Sequence, residues 1–252
     1  MRTLRRLGSP LALLVLWQAT ATTGLLSPRI LAPPSAIFAA AWALILSGEL
    51  AHHLLISLAR VCVGLTVGVS AGTGLALIAG LSRIGEDIVD APMQMLRALP
   101  FLGLVPLFIL WFGIGETPKI ALVALGATFP VYLAVFAGIR GVDRRLVEAA
   151  SVFGLGRPAL IRQVILPGAL PQGLVGLRYG VGVAWLSLVV AEQINANSGI
   201  GYLISNARDF LRTDVIVVGL LVYALLGLIT DALVRLLETR AMRGRASLIR
   251  PG

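Results

Sequence analysis

The residues best suited to chemistry are gathered in one polar stretch, Arg140 to Pro167, between two long apolar runs. It carries Arg140, Arg144, Arg145, Arg157 and Arg162, together with Glu148. No nucleophile, acid/base pair or metal-ligand set accompanies them, so the chemistry on offer is non-covalent docking. From Arg145 onward apolar residues recur at helical spacing (Leu146, Ala149, Ala150, Phe153), and a glycine break follows at Gly154 and Gly156. A second amphipathic stretch, Ala159 to Ile165, is expected to stop at Pro167, which cannot continue a helix. The pattern predicts a helix–turn–helix held on a membrane surface, its outer face open to a soluble partner.

The elements that must position this loop are membrane spans. Hydrophobic residues make up 58% of the 252-residue chain and charged ones 13%, with a mean hydropathy of +0.92. These values describe one integral membrane domain, residues 1–252, with its core at about 54–237. The net charge of +9 reflects arginines facing anionic lipid on the inner side. Aromatics are sparse and no basic run interleaves with them, which excludes nucleic acid as a partner. Cys62 is the single cysteine, so no intrachain disulfide can form.

About six spans are expected. Leu11 to Leu26 follows Arg2, Arg5 and Arg6, and is read as a retained first helix, with a cleaved signal peptide as the alternative. Pro33 to Gly48 carries a helix too short to cross a bilayer, which needs roughly 20 apolar residues. The second span, Leu54 to Leu81, contains Gly64, Gly68 and Gly72, whose small-xxx-small spacing lets helix backbones pack closely in lipid. Arg60 is expected to snorkel to the outer interface. A charged loop, Ser82 to Asp90, leads to a third span, Met95 to Ile114, kinked at Pro100 and Pro106. The fourth opens at Pro118 and ends near Ile139. The fifth, Gln172 to Ala191, is again glycine-rich, with Gly176 and Gly180 as packing positions and Arg178 inside it. Glu192 to Asp214 is a polar external segment, and Val215 to Leu237 is the last span.

Charge decides the orientation. With both termini inside, the inner segments take the terminal arginines, Arg83, the five loop arginines and Arg235. The outer segments hold only Arg29, Lys119, Arg208 and Arg212. The loop 140–167 is therefore expected to be cytoplasmic.

The loop resembles a known family. Glu148-Ala149-Ala150, three residues, Gly154, nine residues, then Val164-Ile165-Leu166-Pro167 is similar to the EAA loop of ABC importer permeases, with Val164 in place of isoleucine. Each residue alone has an ordinary structural reading, Glu148 as a solvated charge and Gly154 as a helix C-cap; the combination is specific. From Pro33 to Leu237 the chain further resembles the subfamily for aliphatic sulfonates, taurine and nitrate. Ser57-Leu58-Ala59-Arg60, Leu107 to Gly115, Ala191-Glu192-Gln193-Ile194-Asn195 and Ser198-Gly199-Ile200-Gly201 carry that likeness, closest to the sulfonate members.

The resemblance implies an all-α polytopic permease of the type I importer kind, its coupling helix between spans four and five. It implies a second permease copy, cytoplasmic ATPase subunits, a solute-binding protein outside, and a place in the bacterial inner membrane. Glu148, Ala149, Ala150, Gly154, Leu166 and Pro167 would form the ATPase-coupling loop. No Gly-x4-Gly-Lys-Ser/Thr loop occurs and the only lysine is Lys119, so ATP is expected to be used by another chain and no cofactor by this one. An anion path needs positive potential and no central carboxylate, which singles out Arg178, with Gln193 and Asn195 at the outer mouth. Adjacent His52 and His53 point apart on a helix and suggest no metal site. Taurine or nitrate is the alternative cargo. An ion-coupled secondary transporter is the alternative class, disfavoured by the lack of a central carboxylate.

Overall fold

The computed structural model describes residues 2–25, 27 and 30–242, apart from the side chains of 2–7, 101, 102 and 195. Those residues form eleven helices: α1 (Arg2–Thr22), α2 (Pro34–Leu46), α3 (Glu49–Leu81), α4 (Arg83–Ala98), α5 (Val105–Phe112), α6 (Glu116–Arg140), α7 (Arg144–Val152), α8 (Arg157–Leu160), α9 (Leu166–Asn195), α10 (Ile200–Asp209) and α11 (Thr213–Met242). No strand occurs among the described residues. Among the described residues, four segments are long and apolar enough to cross a membrane: Glu49–Leu81, Glu116–Arg140, Arg157–Ile194 and Thr213–Met242, with a shorter apolar helix, Pro34–Leu46, ahead of them. Large apolar residues such as Leu220, Leu221 and Leu225 lie exposed along α11, as lipid contact requires. The chain is an all-α polytopic membrane protein.

Two compact units divide it. The first comprises residues 1–58 and 192–226. Its core joins Ile37, Ala40 and Leu44 of α2 to Leu203 and Ala207 of α10 and Val215 and Val218 of α11. Gln18 of α1 ties down the start of α2, its amide exchanging two 3.1 Å hydrogen bonds with the Ser35 hydroxyl and backbone N–H.

The second unit, residues 59–191 and 227–252, is built on α6. Leu122, Val123, Ala127, Val131 and Tyr132 of this helix are almost wholly buried. The glycines of α3 set one of its contacts. A Cβ on Gly64 would lie 2.6 Å from Val123 Cγ1, one on Gly72 2.6 Å from the Thr128 carbonyl, and one on Gly68 would collide with the Ala124 carbonyl. On α9, Gly176 and Gly180 play the same part, with Cβ positions 2.5 Å from Ala134 Cβ and 3.1 Å from Val131 Cγ2.

Prolines and caps explain where the spans differ from the sequence reading. The expected single span Met95 to Ile114 is two helices. Leu99 precedes Pro100 and takes an extended conformation (ψ 138°), because the proline ring disfavours helix in the residue before it. A short 3-10 turn, Phe101–Leu104, follows, and Pro106 opens α5 where a missing N–H costs nothing. The expected loop Ser82 to Asp90 is instead the start of α4, capped by Ser82 Oγ, which accepts the Gly85 N–H at 2.9 Å. Nor does Pro167 end a helix. A π turn, Ile161–Ile165, precedes it, in which Leu166 N–H reaches back five residues to Ile161, and α9 runs on past Pro167 and Pro171. The span expected to begin at Gln172 therefore begins earlier. The segment Glu192 to Asp214, expected to be external, also holds a full helix, α10.

Overpacking follows at Gly68 if a side chain is added. Gly68→Leu is expected to lower both folded yield and melting temperature in detergent. Gly74→Leu, on the same helix with nothing within 4 Å of its Cβ, is expected to leave both near wild type. Equal behaviour of the two variants would remove the packing explanation.

Candidate functional site

The helix–turn–helix is shaped by its ends, because α7 buries none of its residues. Asp143 caps its start, accepting the Arg145 N–H at 2.9 Å. At its end the Gly154 N–H donates to the Ser151 carbonyl at 3.0 Å and the Leu155 N–H to the Ala150 carbonyl at 3.1 Å. These two bonds make a Schellman termination, in which the residue after the cap adopts a left-handed backbone. Gly154 has φ of +83°, and nothing lies within 4 Å of where a Cβ would stand. The need for glycine is conformational and not steric. It also gives the Ala150-to-Gly154 spacing a physical meaning, since these two positions anchor the termination.

Glu148 and Ala149 are exposed on α7 and Ala150 is half-buried; Leu166 and Pro167 lie at the start of α9. Beyond the motif, Val152 and Phe153 are 86% and 84% exposed, a pair of apolar side chains at the tip of the turn. The loop thus presents an exposed carboxylate, exposed arginines and an apolar tip on a pre-shaped turn, which suits protein docking and not bond-making chemistry.

Arg178, the sequence candidate for an anion path, is half-exposed and donates from Nε to Asp231 at 2.5 Å, while Arg235 reaches the same carboxylate at 2.8 Å. Gln193 lies near the end of α9 in the first unit, half-buried; the side chain of Asn195 is outside the described set. Arg60 does not snorkel. It is buried and forms a two-pronged pair with Glu116, Nε to Oε2 at 2.5 Å and Nη2 to Oε1 at 2.6 Å. The buried Lys119 shares Oε1 at 3.1 Å. Bringing a charge inside requires such a partner.

One constellation escaped the sequence reading. Glu192, expected in an external segment, is 1% exposed within α9. Its carboxylate accepts from Ser57 Oγ at 2.9 Å, the Gly201 N–H at 2.9 Å and the Tyr223 hydroxyl at 3.0 Å. Ser57 Oγ in turn accepts the Ile200 N–H at 2.9 Å, and His53 Nδ1 the Gly199 N–H at 3.0 Å. The first turn of α10 is thereby fastened to α3 and α9. Gly199 has φ of +108° and any Cβ there would strike the Glu192 carboxylate. The signal was Glu192, Gly199 and Gly201 together with Ser57, but Ser57 lies 135 positions from Glu192. No group of three or more metal-ligating side chains occurs among the described residues.

A fold of this kind is found in solved ABC transporters. The chain aligns with one of the crystal structure of an amino acid ABC transporter at a TM-score of 0.63 and 22% identity, over 75% of this chain and 92% of that one. That likeness concerns the fold alone. The sequence places it further: the chain belongs to the family of binding-protein-dependent transport system inner membrane components, matched over residues 64–243. It is an ABC importer permease subunit, which sets aside the ion-coupled alternative. The chain is 52% identical over 234 residues to a putative aliphatic sulfonates transport permease protein of Escherichia coli, covering 93% of this chain and 89% of the relative. A counterpart in Bacillus subtilis is 44% identical, covering 94% and 86%. The taurine transport system permease protein of Escherichia coli is 36% identical, covering 93% and 87%.

Two glycines separate conformation from contact. Gly154→Val is expected to cut transport-coupled ATP hydrolysis about tenfold or more, because a branched side chain resists the left-handed region. Gly154→Asn, which tolerates it, is expected to keep most of the coupling. Gly199→Ala is expected to lower the melting temperature by about 3 °C or more through strain and collision with Glu192. A Gly154→Asn variant as uncoupled as Gly154→Val would contradict the conformational account.

Proposed function

We propose that this permease passes aliphatic sulfonates across the inner membrane as one of two copies of the chain. The observation that carries the substrate is the identity of 52% with the putative aliphatic sulfonates permease, against 36% with the taurine permease, each over 93% of the chain. In this reading the loop 140–167 and both termini face the cytoplasm, supported by the excess of arginines there. Two ATPase subunits bind and hydrolyse ATP, and a solute-binding protein delivers the cargo outside. Glu148, Ala149, Ala150, Gly154, Leu166 and Pro167 shape the surface that enters a groove of the ATPase. The exposed Val152 and Phe153 add the apolar contact such a groove would bury.

Arg178 biases the path toward anions in this reading. Its pairing with Asp231, itself shared with Arg235, leaves the trio with one net positive charge, which suits an anion that must bind weakly and leave again. Gln193 and Asn195 serve the outer end of the path. A pure anchoring role for Arg178 is the competing account, and the ion pair fits that too.

Transport assays separate these statements. Proteoliposomes holding the permease, its ATPase and its binding protein are expected to take up an alkanesulfonate in preference to taurine, nitrate and sulfate. Preference for taurine would overturn the substrate reading. Arg178→Gln is expected to reduce uptake several-fold, with Arg178→Lys in between, since lysine keeps the charge but loses the planar fork. Normal uptake by both inserted variants would remove Arg178 from the path.

A further inference from the structure

A cavity of about 420 Å³ opens beside the helix–turn–helix, and four arginines line it. Arg83 comes from the start of α4, Arg140 from the end of α6, Arg144 from the start of α7 and Arg157 from the start of α8. The rest of its wall is largely apolar, including Ile139, Ile161 and Ile165. Two carboxylates stand near these arginines. Glu86 is paired with Arg140, whose guanidinium also lies 5.8 Å from the Phe136 ring, and Asp143 accepts the first-turn N–H of α7. Arg157 donates to the Leu81 carbonyl at 3.3 Å. Among the described residues, Arg83, Arg144 and Arg157 form no ion pair. Four cations against two carboxylates leave the cavity with a net positive charge.

The geometry points to a binding site for an anionic phospholipid, its phosphate held by Arg83, Arg144 and Arg157 and its glycerol and first methylenes laid along the isoleucines. Three observations select this ligand. Guanidinium forks match phosphate oxygens, and gathering several without equal carboxylates leaves a potential that an anion relieves. The apolar wall asks for a ligand with a hydrocarbon part. The arginines also stand at one level, where spans end: Arg140 closes the span Glu116–Arg140, Arg157 opens Arg157–Ile194, and Arg83 follows Glu49–Leu81 by two residues. That is headgroup depth, and basic pockets between helices at this depth hold acidic lipid headgroups. Which leaflet supplies the lipid rests on the orientation proposed above; the binding itself does not.

Native mass spectrometry of the purified full chain in detergent tests the site, with phosphatidylglycerol and phosphatidylcholine of identical acyl chains as probes. Phosphatidylglycerol is expected to be retained about tenfold better. Arg144→Gln and Arg157→Gln are each expected to weaken that retention about fivefold, and Arg145→Gln, on α7 but not lining the cavity, to leave it unchanged. These arginines are exposed, and unchanged melting temperatures are expected to confirm folding; Arg144→Lys, which keeps the charge, is expected to restore most of the binding. Equal retention of both lipids would overturn the proposal, as would equal loss from Arg145→Gln. Competition by millimolar inorganic phosphate or an alkanesulfonate would assign the arginines to a free anion instead. Displacement by a stoichiometric ATPase subunit would assign them to the protein interface. No arm measures transport, so a failure here leaves the transport reading intact.

Discussion

Backbone-to-backbone approach around α6 is the constraint on which the second unit depends. Lipid tails are as apolar as leucine, so helices in a bilayer gain little by hiding their apolar faces from it. What remains is close packing and interhelical hydrogen bonding. Gly64, Gly68 and Gly72 bring α3 against Val123, Ala124 and Thr128, and Gly176 and Gly180 bring α9 against Ala134 and Val131. At the closest point Thr128 Oγ1 donates to Ala124 of its own helix at 2.7 Å and reaches the Gly68 carbonyl at 3.3 Å. A hydroxyl that bonds within its helix and across to the next suits an interior without water. One helix, α6, thus carries small-residue contacts from two neighbours.

Within each unit, buried charge is held by a different device. The Arg60–Glu116–Lys119 group holds two buried cations against one partly exposed carboxylate and keeps one net positive charge. The Glu192 carboxylate instead gathers two hydroxyls and a backbone N–H at the start of α10. Leaving any of these groups without its partner would cost several kcal/mol, about 3–5 for a broken buried pair. That asymmetry makes the polar clusters strong specifiers of which helix ends meet, even where they add little net stability. In the first unit, the Glu192 cluster fastens an irregular segment, 196–199, that lacks helical hydrogen bonds of its own.

Features that act along the chain were legible, and features that act across it were not. Glycine spacing in α3 and α9 is a local periodicity, as is the Glu148-to-Gly154 run, so both could be read directly. Of about six spans expected from the apolar runs, four stand as helices long and apolar enough to cross a membrane among the described residues. Prolines were ambiguous because the same residue can kink, stop or start a helix. Pro100 breaks one through the residue before it, Pro106 starts the next, and Pro167 is passed on a π turn that no local composition announces. Arg60 looked like an interfacial arginine because Glu116 lies 56 positions away. Glu192 looked external because it adjoins a polar run, and only the tertiary structure brings Ser57 and Tyr223 to it.

The loop between α6 and α9 poses a separate physical problem, since it must hold its shape without a core. A nine-residue helix is too short to be stable by propagation alone, and α7 buries no side chain to compensate. Its order therefore comes from its two ends: Asp143 satisfies an orphan N–H at the start, and the Schellman bonds to Ala150 and Ser151 satisfy orphan carbonyls at the finish. Each such cap contributes on the order of 1 kcal/mol. Helix resumes after the four-residue turn 153–156, where α8 and the π turn lead without interruption into α9. A displacement of α7 is thereby tied to a membrane-crossing helix whose Gly176 and Gly180 lie against α6. Termination chemistry at Gly154, and not burial, is what keeps α7 from dissolving at its exposed end.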